Sequence, residues 1–124
     1  MRLLLDTHVI LWTLGGDRAL SGEATDAVRR ADQLYVGAVT LAEIGVKCAL
    51  GRLSVPQDLV RVVVESGMRL LPLQPDHGLA VAGLPLVHRN PFDRLLVAQA
   101  AAEGLTLVTA DRRIRGYDVP TAPA

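Results

Sequence analysis

Four carboxylates carry the chemistry this sequence could do: Asp6, Glu43, Asp93 and Asp111. Asp6 ends the apolar run Leu3-Leu4-Leu5, and Asp111 follows Leu107-Val108-Thr109-Ala110. Asp93 lies in the first turn of a helix that Asn90 caps and Pro91 opens. Glu43 closes Thr40-Leu41-Ala42-Glu43, which has the form of a capping box. Each acid has an ordinary structural role available, because caps and first-turn acids complement the helix dipole. Their joint placement is what points to chemistry. All four fall at or just inside expected helix starts, and in a doubly wound sheet those starts converge beyond the carboxyl ends of the strands. Two carboxylates ~4 Å apart repel by about 4 kcal/mol at an effective dielectric near 20. Helix dipoles return only ~0.3–1 kcal/mol each. Four acids in one pocket therefore need shared protons or a cation, and an all-carboxylate set suits Mg²⁺ or Mn²⁺. A water held by such an ion can attack a phosphodiester in line. Zinc fits less well, since Cys48 is the single cysteine and His8, His77 and His88 are scattered.

The elements that must position these acids follow from periodicity and punctuation. Apolar runs at residues 2–5, 34–36, 70–73 and 105–108 read as short strands. Helices are expected over residues 7–14, stopped by Gly15-Gly16, and from Ser21, with Ala24, Ala27, Val28 and Ala31 on one face. Two more are expected, from the Thr40 capping box to about Leu50 and from Val55-Pro56 onwards with Leu59, Val62 and Val63 inward. Residues 75–83 make a short helix, and residues 91–103 a longer one closed by Gly104. Tyr117-Asp118-Val119 is expected as an edge strand. Strands alternating with helices predict an α/β/α sandwich with a central, mostly parallel sheet of four or five strands. The expected organisation is a single domain over residues 1–120 and a short Pro/Ala tail over 121–124.

Composition bounds the remaining possibilities. Hydrophobic residues make up 50% of the 124 and aromatic ones only 3%, so aliphatic side chains must fill the core. No apolar run reaches the roughly eighteen residues of a membrane span, and the N-terminal stretch lacks the pattern of a signal peptide. With one cysteine there is no intramolecular disulfide, and a cytoplasmic protein is expected. The formal charge is zero, from 13 basic and 13 acidic residues, so any nucleic-acid contact must be local. Setting four acids aside for a metal leaves the rest of the chain with a surplus of four positive charges.

At this point a resemblance enters. Leu3-Leu4-Leu5-Asp6-Thr7-His8 resembles the opening strand and first acid of PIN-domain ribonucleases of the VapC toxin type. Residues 36–44 (VGAVTLAEI) resemble that family's second motif, residues 88–100 (HRNPFDRLLVAQA) its third, and residues 107–111 (LVTAD) its fourth. Each motif is weak alone; their order and spacing hold over nearly the whole chain. Two departures stand out, Gly37 where many relatives have Ser, and Asn90 where many have Asp. The resemblance implies a PIN-like fold, with Asp6, Glu43, Asp93 and Asp111 as metal-holding catalytic acids. It also implies metal-dependent RNA cleavage, neutralisation by a cognate antitoxin and a homodimer.

Residues around the acids have assignable roles. Thr109 can bond a metal water or an acid, or cap a helix; Thr7 is better read as a cap; Asn90 can cap its helix and offer its side-chain oxygen. Arg94, Arg112, Arg113 and Lys47 are candidates for RNA phosphates, with a solvated helix face as the alternative. Trp12 is expected to fill a helix packing site or an oligomer interface rather than to stack on a base. The helical pair over residues 41–64, with Val60, Val62, Val63 and Val64 around much of its second helix, predicts a groove or dimer surface where an antitoxin's amphipathic helix could bury itself. Two rival functions differ in class. A PIN-like binding module would have an impaired site, against the presence of all four acids. A phosphoryl-accepting domain of receiver type would need a lysine after a late strand, and the only lysine is Lys47.

Overall fold

A computed structural model describes residues 1–15 and 20–124. Five parallel strands form one sheet in the order β3-β2-β1-β4-β5: β1 (Arg2–Leu5), β2 (Gln33–Gly37), β3 (Arg69–Leu71), β4 (Thr106–Thr109) and β5 (Thr121–Pro123). The α/β/α class expected from the sequence is the one observed. Leu3, Leu4 and Leu5 are fully buried, as a central strand covered on both faces requires. Helices α1 (Thr7–Thr13), α2 (Gly22–Arg30), α3 (Ala38–Ala49) and α4 (Leu59–Glu65) carry the chain from β1 out to β3. Helices α5 (Pro75–Ala80) and α6 (Pro91–Glu103) carry it back across the sheet to β4. Right-handed crossovers in opposite directions place the two groups on opposite faces. The alternating side chains agree: Leu3, Leu5, Val36 and Val108 pack with α1 to α4, while Leu4 and Leu107 pack with α6. The strand order reverses between β1 and β4, which opens a crevice beyond their carboxyl ends.

The local signals for α6 hold to the residue. Asn90 accepts the Phe92 N–H at 2.9 Å, Pro91 takes the first position, and Gly104 ends the helix in the left-handed region at φ +64°. Ser21 caps α2 as expected, and Gly15 follows α1; Gly16 lies outside the described residues.

Three elements are displaced from their expected places. The capping box at Thr40 does not form. The chain turns from β2 straight into α3 at Gly37, so Thr40 lies inside the first turn with its hydroxyl buried and unpartnered. Burying Val39 against α6 and Ile44 on the opposite side outweighs the cap. A Cβ at Gly37 would stand 2.7 Å from Gln99 Oε1 on α6, so a side chain at this turn requires the end of Gln99 to shift. Helix α4 starts at Leu59 rather than Pro56, since Leu53 and Val55 pack on the core outside any helix. The edge strand is Thr121–Pro123, within the stretch expected to be a tail, and not residues 117–119. Tyr117 is buried instead, and Pro123 is tolerated because an edge strand leaves one side unpaired.

Candidate metal centre at the strand switch

Asp6, Glu43, Asp93 and Asp111 line one cavity of about 120 Å³ at the switch point. Asp6 extends β1, its N–H bonded to Val108 O at 3.1 Å, and caps α1 through Oδ1 and the Val9 N–H at 3.0 Å. Its other oxygen accepts the Thr109 hydroxyl, and that hydroxyl accepts the Asp111 N–H at 3.0 Å. Thr109 thus couples the ends of β1 and β4. Asp111 caps a short 3-10 helix, Arg112–Gly116. Asp93 enters from the first turn of α6. Glu43 enters from the second turn of α3, not from a helix start, and accepts the Thr7 hydroxyl on Oε1. Its Oε2 receives the Asn90 amide at 3.3 Å and faces Lys47 Nζ at 3.7 Å.

Asn90 therefore differs from expectation. Its side-chain oxygen is taken by the helix cap, and its amide nitrogen is what reaches the acids. An aspartate there would set a fifth carboxylate against Glu43. Arg94 also departs from expectation. Its guanidinium donates to the carbonyls of Val81, Leu84 and Pro85 and to the Tyr117 hydroxyl, so it anchors the 81–85 segment and is not free for phosphate. Arg113 reaches Asp111 through Nε at 3.3 Å and lines the cavity, while Arg112 is exposed beside it.

The residue that sequence reasoning passed over is His88. Its Nε2 lies 2.9 Å from Asp111 Oδ2 and 3.0 Å from Asp93 Oδ2, and the ring is almost entirely buried. One polar side-chain atom from each of His88, Asp93 and Asp111 lies within 4.8 Å of the others. The available signal was its place just before the helix start that carries Asp93.

The electrostatics are those of crowded carboxylates. Burial, then the nearby Glu43, push the Asp93 carboxyl up to about 6, against the opposing pull of His88. Burial likewise raises Asp6, against the hydrogen bonds from Thr109 and Val9. Asp111 is more open. Partial burial is outweighed there by the Arg113 N–H, His88 and the Arg113 side chain, and its carboxyl is held below the usual range. Among the described residues that line the cavity, Lys47 and Arg113 are the cations offered to these four acids. An oxygen-rich cavity in which two carboxyls are held back from ionising is the donor set a hard cation fits.

Fold and cavity together define the class: a small, doubly wound parallel domain with a carboxylate cluster of metal-binding chemistry at its switch point. The PIN domain family model matches residues 3–120, and the chain belongs to that family. It is 32% identical over 126 residues to Ribonuclease VapC22 of Mycobacterium tuberculosis, covering 95% of this chain and 93% of the relative. Among solved structures, VapBC2 from Rickettsia felis, bound to a DNA fragment from its promoter, superposes with a TM-score of 0.72. The match covers 99% of this chain and 98% of that one at 12% identity. DNA-bound VapBC from Salmonella typhimurium gives 0.69 over the same shares at 15% identity. At those identities the likeness shows the fold.

Proposed function

We propose that this protein is a metal-dependent endoribonuclease and the toxin of a toxin–antitoxin pair. The observation that carries the reading is the convergence of Asp6, Glu43, Asp93 and Asp111 on one small cavity, in a chain related to a ribonuclease over nearly its full length. These four acids would hold Mg²⁺ or Mn²⁺. Bound there, the cation supplies an activated water and neutralises charge developing on the scissile phosphate. Thr109 and Thr7 orient Asp6 and Glu43, and the Asn90 amide steadies Glu43. Arg113, Arg112 and Lys47 stand at or near the mouth and hold RNA phosphates.

The partner would be a cognate antitoxin. Beside the acid cavity, and sharing His8 and Lys47 with it, lies a groove of about 480 Å³ lined by Leu11, Trp12, Leu53, Val55 and Leu59. On α4, Val63 is buried whereas Val60 and Val64 stay about half exposed, which leaves apolar surface for a partner helix or a second copy in a homodimer. Among the described residues no helix is long and apolar enough to cross a membrane. A cytoplasmic location belongs to the same proposal and is supported by the single cysteine, Cys48.

The test is cleavage of a mixed RNA pool by purified protein with Mg²⁺ or Mn²⁺, with chelator, and with Asp93→Asn. Metal-dependent cutting that leaves 5′-phosphate and 3′-hydroxyl ends and disappears in the variant is expected. A 2′,3′-cyclic phosphate product, or cutting that survives both chelator and substitution, would overturn the reading.

A further inference from the structure

His88 touches two of the four acids, yet its geometry is not that of a metal ligand. Nδ1 accepts the backbone N–H of Asn90 at 3.1 Å. A ring nitrogen that accepts a hydrogen bond carries a lone pair, so the neutral imidazole must bear its proton on Nε2. That protonated nitrogen donates to Asp111 Oδ2 at 2.9 Å and lies 3.0 Å from Asp93 Oδ2, in direct contact with both acids. An Nε2 that holds a proton has no lone pair for a cation.

The backbone that carries the ring is itself held. The His88 N–H donates to the Tyr117 hydroxyl at 2.9 Å, and that hydroxyl donates back to the His88 carbonyl at 3.3 Å. Arg94 donates to the same hydroxyl at 3.3 Å while its other bonds tie down residues 81–85. Arg94, Tyr117 and His88 thus make a continuous set of hydrogen bonds from α6 and the last loop to the acids. We propose that His88 is a positioning residue: its Nε2–H clamps Asp93 and Asp111 side by side, and the Tyr117–Arg94 pair holds the clamp. The clamp ties one oxygen of Asp111 and sets the same N–H beside the facing oxygen of Asp93 before any cation arrives. The assignment of the tautomer stands on geometry alone; its consequence for metal binding rests on the metal-holding role given to the acids above.

Two measurements on the full chain test this. Long-range ¹H–¹⁵N spectra of the histidine rings, with His88→Gln identifying the signal, read the tautomer without and with Mg²⁺. A pyrrole-type Nε2 and a pyridine-type Nδ1 in both states are expected. A pyridine-type Nε2, or loss of its proton on adding Mg²⁺, would make His88 a ligand and overturn the assignment. Mn²⁺ titration then reads the positioning. His88→Ala should weaken Mn²⁺ binding by about 10–100-fold, the range for residues that orient metal ligands. Tyr117→Phe, which keeps ring and packing, should weaken it by a smaller factor in the same direction. Unchanged affinity in both variants would overturn the clamp. Failure of the wild type to bind Mn²⁺ would overturn the metal reading of the acids and the positioning role with it, whereas a pyridine-type Nε2 overturns only the His88 assignment. Should His88→Ala not fold, the wild-type tautomer and Tyr117→Phe still decide.

Discussion

Two buried histidines in this molecule make nearly the same hydrogen bonds. His77, in α5, accepts the Gln74 N–H on Nδ1 at 3.0 Å and points Nε2 at Glu103 Oε1 at 3.1 Å. His88 accepts the Asn90 N–H in the same way and points Nε2 at carboxylates. The surroundings differ. Glu103 is a single acid, 41% exposed, and water can take over its solvation. Asp93 is 15% exposed and shares its cavity with three other acids. His77 therefore ties α5 to α6, whereas His88 organises a site. A histidine–carboxylate contact is the same chemistry in both places. The number of carboxylates in reach, and their access to water, decides what the contact is for.

The largest expected effect sharpens that contrast. Asp6→Asn or Asp93→Asn should lower RNA cleavage by more than about 100-fold, above the range for losing a group that only orients a ligand. Glu103→Gln should leave cleavage within about twofold, since removing an exposed charge outside the cavity touches nothing in the reaction. Equal losses in steady-state assays of the three variants would erase the distinction.

The histidines come next. His88→Ala should reduce cleavage by about 10–100-fold. His77→Ala should leave cleavage nearly unchanged but destabilise the fold by about 1–3 kcal/mol, because two hydrogen bonds of about 0.5–1.5 kcal/mol each are lost, the one from the Gln74 N–H and the tie of α5 to α6 through Glu103. Urea denaturation of both variants, set beside their cleavage rates, separates the two roles.

A smaller effect concerns pH. The Asp93 carboxyl stands at about 6 in the folded protein against an ordinary 3.8, so folding opposes its ionisation. Stability from the neutral carboxyl is full below the ordinary value and is lost as pH rises through about 6. In chelator, Asp93→Asn should therefore match the wild type near pH 4 and exceed it by about 1–2 kcal/mol at pH 7, with the partial exposure of the group already discounted. Added Mg²⁺ should close that gap by binding the wild type. A gap that is constant with pH, in denaturant titrations at pH 4, 5.5 and 7, would show that crowding of the acids does not strain the empty site.

The smallest effects belong to the arginines. Arg112→Ala and Arg113→Ala should each lower cleavage a few-fold and reduce the salt dependence of RNA binding by about one phosphate contact. Arg94→Ala should instead lower the unfolding midpoint and leave the salt slope unchanged, because its guanidinium serves carbonyls and Tyr117.

Local physics was sufficient for much of this protein. The run Leu3-Leu4-Leu5 before Asp6 reads as a buried central strand, and Asn90, Pro91 and Gly104 delimit α6, because caps, proline geometry and side-chain period act within a few residues. Asp6, Asp93 and Asp111 were legible for the same reason, since each follows a strand or sits in the first turn of a helix. What the tertiary structure alone decided involves partners far apart in the chain. Glu43 leaves its expected capping box because Val39 and Ile44 pack into opposite layers. Residues 121–123 become a strand only because β4 offers them an edge. Arg94 is drawn from phosphate to the 81–85 carbonyls and Tyr117, and Asn90 turns its amide to Glu43. His88 finds Asp111 across 23 residues of sequence. No local period constrains such pairs. They form because buried polar groups must find partners, and only the folded chain brings those partners within reach.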